Sequence, residues 1–123
     1  LIQFSKFKNI KILGFVSSIP DLMNIADCVI TKCGASTPME ALSLRKPVII
    51  STYIRGQELG NMLYITQNKL GWYISKPKCI VEKIEEIFSD DKYLEEIRGH
   101  IKKMNIRNGL NDIANFVWNF NTQ

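Results

Sequence analysis

Two blocks decide how this chain is read: Thr31-Lys32-Cys33-Gly34-Ala35-Ser36-Thr37-Pro38-Met39-Glu40 and, further on, Tyr53-Ile54-Arg55-Gly56-Gln57-Glu58-Leu59-Gly60-Asn61. The first is the end of a strand that turns on a glycine into the start of a helix. Such a turn offers free backbone N–H groups and the positive end of a helix dipole to an anion, most often a phosphate. The second is a polar loop that leads into another helix. Its amides and carboxylate can each serve neighbouring hydroxyls as donor or acceptor. Together the two blocks have the makings of a nucleotide-sugar site, a phosphate cradle followed by hydroxyl readers.

Outward from these blocks, strand and helix patterns alternate. Short apolar strands are expected at 10–13, ending at Gly14, and at 28–31. A continuous apolar strand at 47–51 has the composition of one covered on both faces, and a weak strand is expected at 71–74. Helices are expected at 19–26, 38–44, 57–67, 80–88, 91–104 and 110–120. The 80–88 helix sets Ile80, Ile84, Ile87 and Phe88 on one face. The 110–120 helix aligns Leu110, Ile113, Val117 and Phe120. This βαβα order predicts an α/β fold with a Rossmann-like, doubly wound parallel sheet. Ligands then bind at the carboxyl ends of the strands, where Gly14, Gly34 and the Tyr53 loop all fall.

At 123 residues a single domain, 1–123, is expected, and 46% hydrophobic residues suffice for a core. A net charge of +4 and a pI of about 9.0 suit anionic ligands or an anionic membrane surface. No dense Lys/Arg cluster interleaves with aromatics, so nucleic acid is not an expected partner. Cys28, Cys33 and Cys79 are odd in number and lack close paired spacing, which argues against a disulfide framework and a zinc ribbon. Cys28 and Cys33 read as small hydrophobes in or beside a strand. No apolar run is long enough to cross a bilayer, and no signal-peptide pattern opens the chain. With Leu1 rather than Met at its start, the chain is expected to be a piece of something longer.

Two readings of the turn stand side by side. Thr37-Pro38-Met39-Glu40 matches a capping box with proline at the first helical position, in which Glu40 reaches back to the cap. A carboxylate so engaged is not available to a ligand. Pro38 also removes one N–H donor. In the second block Gln57 and Asn61, four apart, share a helix face, and solvation or capping is the bland alternative to sugar reading. Neither the G-x-G-x-x-G nor the G-x-x-x-x-G-K-[ST] phosphate motif occurs. His100, among Arg98, Lys102 and Lys103, reads as a surface histidine. Asp90-Asp91 reads as a helix start after Ser89. Phe116, Trp118 and Phe120 suit either a core or an interface.

The run Gly14-Phe15-Val16, Ile30-Thr31-Lys32-Cys33-Gly34-Ala35-Ser36-Thr37, Glu40-Ala41-Leu42, Lys46-Pro47-Val48-Ile49-Ile50 and the 53–61 block resembles the C-terminal, nucleotide-sugar-binding half of two-domain (GT-B) glycosyltransferases. It is most similar to the family 28 type, with monogalactosyldiacylglycerol synthases, diacylglycerol glucosyltransferases and MurG-type enzymes. The likeness covers about residues 9 to 75. It implies that backbone at Phe15 and Val16 meets the uracil of UDP. Glu40 would hold the ribose, and Gly34, Ala35, Ser36 and Thr37 the diphosphate. Gln57 and Glu58, with Asn61, would read the sugar. A glycine often found before the 47–51 strand is Arg45 here, where a left-handed helix C-cap is expected.

The resemblance further implies that an acceptor-binding N-terminal domain carrying the catalytic base lies outside this chain, and that the sheet is incomplete at its N-terminus. The expected function is the donor-binding part of an inverting hexosyltransferase. It passes galactose or glucose from a UDP-sugar to a diacylglycerol-type lipid at a membrane surface, in the cytoplasm or an organelle. The chain alone is expected to be inactive. No cofactor or metal is required on this reading, because a helix N-terminus can stabilise the leaving UDP. The alternatives are a UDP-sugar epimerase of the same architecture and a non-catalytic nucleotide-binding subunit completed by a partner chain.

Overall fold

A computed structural model describes residues 7–120. The middle strand organises it. Val48, Ile49 and Ile50, consecutive strand-formers of β2 (Val48–Thr52), have no solvent exposure, so both faces of the sheet are covered there. β2 pairs in parallel with β1 (Val29–Lys32) on one side and β3 (Gly71–Tyr73) on the other, in the order β1-β2-β3. The close approach of β2 and β3 requires a glycine. A Cβ on Gly71 would lie 2.2 Å from the Val48 carbonyl oxygen.

Six helices are described with these strands: α1 (Ile19–Ile25), α2 (Ser36–Ser43), α3 (Leu59–Gln67), α4 (Pro77–Phe88), α5 (Asp91–Lys103) and α6 (Leu110–Phe120). The core joins Leu42 of α2, Ile65 of α3, Ile87 of α4 and Leu94, Ile97 and Ile101 of α5 to the sheet. The result is a Rossmann-like α/β arrangement with a three-stranded parallel sheet, as the alternation of patterns predicts. The helix ends follow local chemistry. Asp90 caps α5, its Oδ1 accepting the Lys92 N–H at 2.9 Å. α2 stops in a Schellman turn, in which Lys46 N donates to Ala41 O and Arg45 N to Leu42 O, both at 2.9 Å. Arg45 sits at φ 59°, the left-handed cap expected from the sequence. α3 ends the same way, with Lys69 at φ 55°.

Four expectations need correction. Residues 10–13 form no strand, and Ile10, Ile12 and Leu13 are exposed. A strand exists only through hydrogen bonds to a neighbouring strand, and these residues pair with none among those described, Ile10 N donating only to the nearby Phe7 O. α2 begins at Ser36, earlier than expected, with Ala35 as its cap and no side-chain capping bond. α3 begins at Leu59, so Gln57 lies in the preceding turn and shares no helical face with Asn61. His100 is half-buried rather than on the surface, its Nε2 2.8 Å from the Asn68 carbonyl oxygen. Cysteine chemistry follows the sequence reading. All three thiols are free, Cys33 is buried, and burial pushes the Cys28 thiol up to about 11.

Candidate functional site

The carboxyl ends of β1 and β2 carry the two blocks that the sequence singles out. Cys33 N donates to Thr52 O at 2.9 Å, so the strands stay paired up to the point where both chains leave the sheet. Residues 33–35 then turn directly into α2. The N–H groups of Gly34, Ala35, Ser36 and Thr37 donate to no carbonyl among the described residues. They form the free amino end of a helix, where an anion is favoured by dipole and donors together. Pro38 falls at the third helical position, still within the turn that has no intrahelical acceptor, so its missing N–H does not weaken the helix. Gly34 does not take a left-handed conformation, and the space beside it is ordinary: a Cβ there would stand 3.8 Å from Lys32 Cε.

The early start of α2 resolves the fate of Glu40. A capping box needs its carboxylate three residues after the cap, and Glu40 lies five after Ala35. The Glu40 side chain is exposed and makes no hydrogen bond or ion pair with any described residue. With Ser36 it lines an open cavity of about 320 Å³ whose far wall is Ile106, Arg107 and Asn108. That wall comes from the segment after α5, which no sequence pattern had tied to the turn.

The second block is a closed loop built around Glu58. Its N–H donates to Ile54 O at 2.8 Å, and its carboxylate Oε2 accepts the Ile54 N–H at 2.8 Å. Gly56, at φ 86°, makes the reversal between them, a conformation that side chains rarely adopt. Oε1 of Glu58 accepts a hydrogen bond from Lys32 Nζ at 2.8 Å, and Glu58 as a whole is only 4% exposed. The Lys32 hydrogen bond first, and the Ile54 N–H second, hold this carboxyl below the usual carboxylate range. Gln57 is exposed at the loop tip, and Asn61 is half-buried in the first turn of α3. Beside the loop Tyr53 and Tyr73 pack edge to face, ring centres 5.2 Å apart.

The fold therefore brings the 34–37 turn and the 54–58 loop together through Lys32 and Glu58. Lys32 was not among the residues the sequence reading chose for the site. Its signal was its place just before the turn. Phe15 lies fully exposed in a bend and Val16 is half-buried. No backbone hydrogen bond joins them to the other site residues. Among the described residues no cluster of three or more His, Cys, Asp or Glu could hold a metal ion.

A parallel α/β sheet with a helix N-terminus and a glycine-turned polar loop at its carboxyl edge places the chain in the Rossmann-like α/β class. The family model described as "Glycosyltransferase family 28 C-terminal domain" matches residues 1–115, and the chain belongs to this family of glycosyltransferases. Over 79 residues, 64% of the chain, it is 39% identical to a monogalactosyldiacylglycerol synthase, chloroplastic, of Spinacia oleracea, covering 15% of that protein. Over 99 residues, 80% of the chain, it is 31% identical to a processive diacylglycerol beta-glucosyltransferase of Bacillus licheniformis, covering 26% of it. A third relative, a processive diacylglycerol beta-glucosyltransferase of Bacillus pumilus, is 30% identical over 85% of the chain and 27% of that protein. The chain thus spans about a quarter or less of the length of these relatives.

Proposed function

We propose that this chain is the donor-binding part of an inverting hexosyltransferase that takes a UDP-sugar and passes galactose or glucose to a diacylglycerol-type lipid. One observation carries the reading: the N–H groups of 34–37, four with no described acceptor, stand at a helix start beside a Glu40 carboxylate with no partner among the described residues. A diphosphate suits the first and vicinal ribose hydroxyls the second. The lipid glycosyltransferases among the relatives support the acceptor class.

In transfer, an acceptor hydroxyl attacks the anomeric carbon from the face opposite UDP. The bond from that carbon to the phosphate oxygen breaks, and negative charge grows on the departing diphosphate. Donors already aimed at that charge lower the barrier without reorganising, so this site asks for no metal or other cofactor. The hydroxyl proton goes to a base supplied from outside this chain, so the chain alone is inactive on this reading. On this reading Gln57 and Asn61 would meet the sugar, and Phe15 and Val16 the uracil.

A second reading, a nucleotide-binding subunit completed by a partner chain or domain, is favoured by the exposed apolar residues Phe15, Ile25 and Ile30 and by α6. Work at a membrane surface, by peripheral association, accords with the lipid substrate named for the relatives. Among the described residues no helix is long and apolar enough to cross a membrane.

The test is calorimetric titration with UDP, with ADP and GDP as controls. Selective binding of UDP, weakened in Glu40→Ala, supports the donor site. Equal binding of all three nucleotides, or binding indifferent to Glu40→Ala, removes it. Sugar transfer by the isolated 123-residue chain would overturn the division of labour.

A further inference from the structure

Lys32 and Glu58 lie 26 residues apart in sequence and meet at 2.8 Å, between the two loops of the site. Resting on the donor-site reading above, the geometry points to Lys32 as the cation that binds the donor's phosphate groups. Glu58 is then the residue that positions this ammonium, not a reader of the sugar.

Lys32 is the last residue of β1, and the ladder to β2 shifts register between Thr31 and Lys32 as the strand leaves the sheet. Its ammonium therefore stands over the turn. Nζ lies 3.9 Å from where a Cβ of Gly34 would be, and so does Glu58 Oε1. An ammonium has three N–H groups, and Glu58 is the single described acceptor of Lys32. Two donors remain, on a side chain that is 59% exposed and open to a ligand. The turn itself is one donor short at Pro38, and a charge-assisted donor beside Gly34 makes up that deficit.

Glu58 is built for the complementary task. Its side chain is 5% exposed, one oxygen is given to Lys32, and the other is given to the Ile54 N–H that closes the loop. So deep a carboxylate, its two oxygens already turned to Lys32 and Ile54, presents little surface to a sugar hydroxyl. What Glu58 offers instead is a fixed anchor. It removes the rotamer freedom of a long lysine and places the ammonium before the ligand arrives, so little ordering remains for binding to supply. The same pair links the phosphate turn to the sugar loop, so that Gln57 and Asn61 are held in register with the diphosphate.

The experiment compares uridine, UMP, UDP and a UDP-hexose as calorimetric ligands of the protein at its natural length, with thermal unfolding run alongside. For Lys32→Met the expected result is unchanged uridine affinity and UDP affinity lowered about tenfold or more, the scale of a lost charged hydrogen bond. Lys32→Arg should restore most of that loss. For Glu58→Gln, UDP and UDP-hexose should weaken by the same factor, because the lesion is at the phosphates. Arg55→Met, an exposed cation of the same loop, should leave all four affinities in place.

UDP affinity unchanged in Lys32→Met overturns the proposal, as does an equal loss of uridine. A Glu58→Gln protein that keeps UDP affinity but loses UDP-hexose affinity returns Glu58 to the role of sugar reader. A wild-type protein that binds no uridine ligand at all removes the donor-site reading itself, and the role of Lys32 with it.

Discussion

α5 and α6 obey the same sequence rule and end differently. α5 places Leu94, Ile97 and Ile101 at helical spacing, and all three are buried. Its outer face is anchored as well, with Arg98 Nη2 2.8 Å from Asp27 Oδ1. α6 aligns Leu110, Ile113, Val117 and Phe120 just as regularly, and none of its residues is buried. Periodicity says which side of a helix is apolar. Whether that side leaves water depends on a complementary surface arriving from elsewhere in the fold. α5 finds one under the sheet; for α6 the described residues provide none. The same contrast divides the sheet. β2 is sealed on both faces, while Ile10, Ile12 and Leu13 stay exposed and Ile30 of β1 is nearly half exposed.

The contrast can be tested by substitutions on its two sides. The largest effect is expected at Gly71→Ala, where the new methyl meets the Val48 carbonyl oxygen at 2.2 Å. Backbone must move, and the loss should be about 3 kcal/mol or more, read as a fall in the denaturant midpoint. A near-wild-type midpoint would mean β2 and β3 are not packed as closely as described. Next in size, Ile101→Ala on α5 should cost about 3 kcal/mol, since the side chain is wholly buried and its neighbours cannot fully collapse. Smallest is Ile113→Ala on α6, expected within about 0.5 kcal/mol in the 123-residue chain, as for an exposed position. A loss at Ile113 comparable to that at Ile101 would break the contrast and place α6 against a covering surface.

Much of the architecture was legible because its signals are local. The run from Pro47 to Ser51 has the apolar composition of a strand covered on both faces. Asp90 after Ser89 is a cap, and Arg45 falls where a left-handed residue must end α2. Each of these features depends on a few neighbours in sequence, and each stands where it was expected. The misreadings share another origin. The 10–13 segment has the composition of a strand without a neighbour to pair with. Thr37-Pro38-Met39-Glu40 has the letters of a capping box, but strand β1 delivers the chain so that the helix starts before Thr37. Gln57 lost its helical face because Glu58 closes the loop onto Ile54.

The site divides in the same way. That 34–37 forms a turn with free N–H groups at a helix start was readable, because a strand, a glycine and a helix start suffice to free four of them. That Glu40 is left without a partner among the described residues was not, because it turns on where the helix begins. The pairing of Lys32 with Glu58 was beyond any local pattern. It joins two loops that approach only because β1 and β2 lie side by side.

The sequence by itself determined the order of strands and helices, the buried character of β2 and the two loops that carry polar chemistry. Those properties follow from side-chain periodicity, turn residues and caps acting over a few positions. Only the tertiary structure decided which amphipathic faces are covered, where α2 starts and which charges meet. Burial and ion pairing are properties of surfaces brought together, and an apolar face that meets no complement among the described residues, such as that of α6, reads in sequence just like one that has found it.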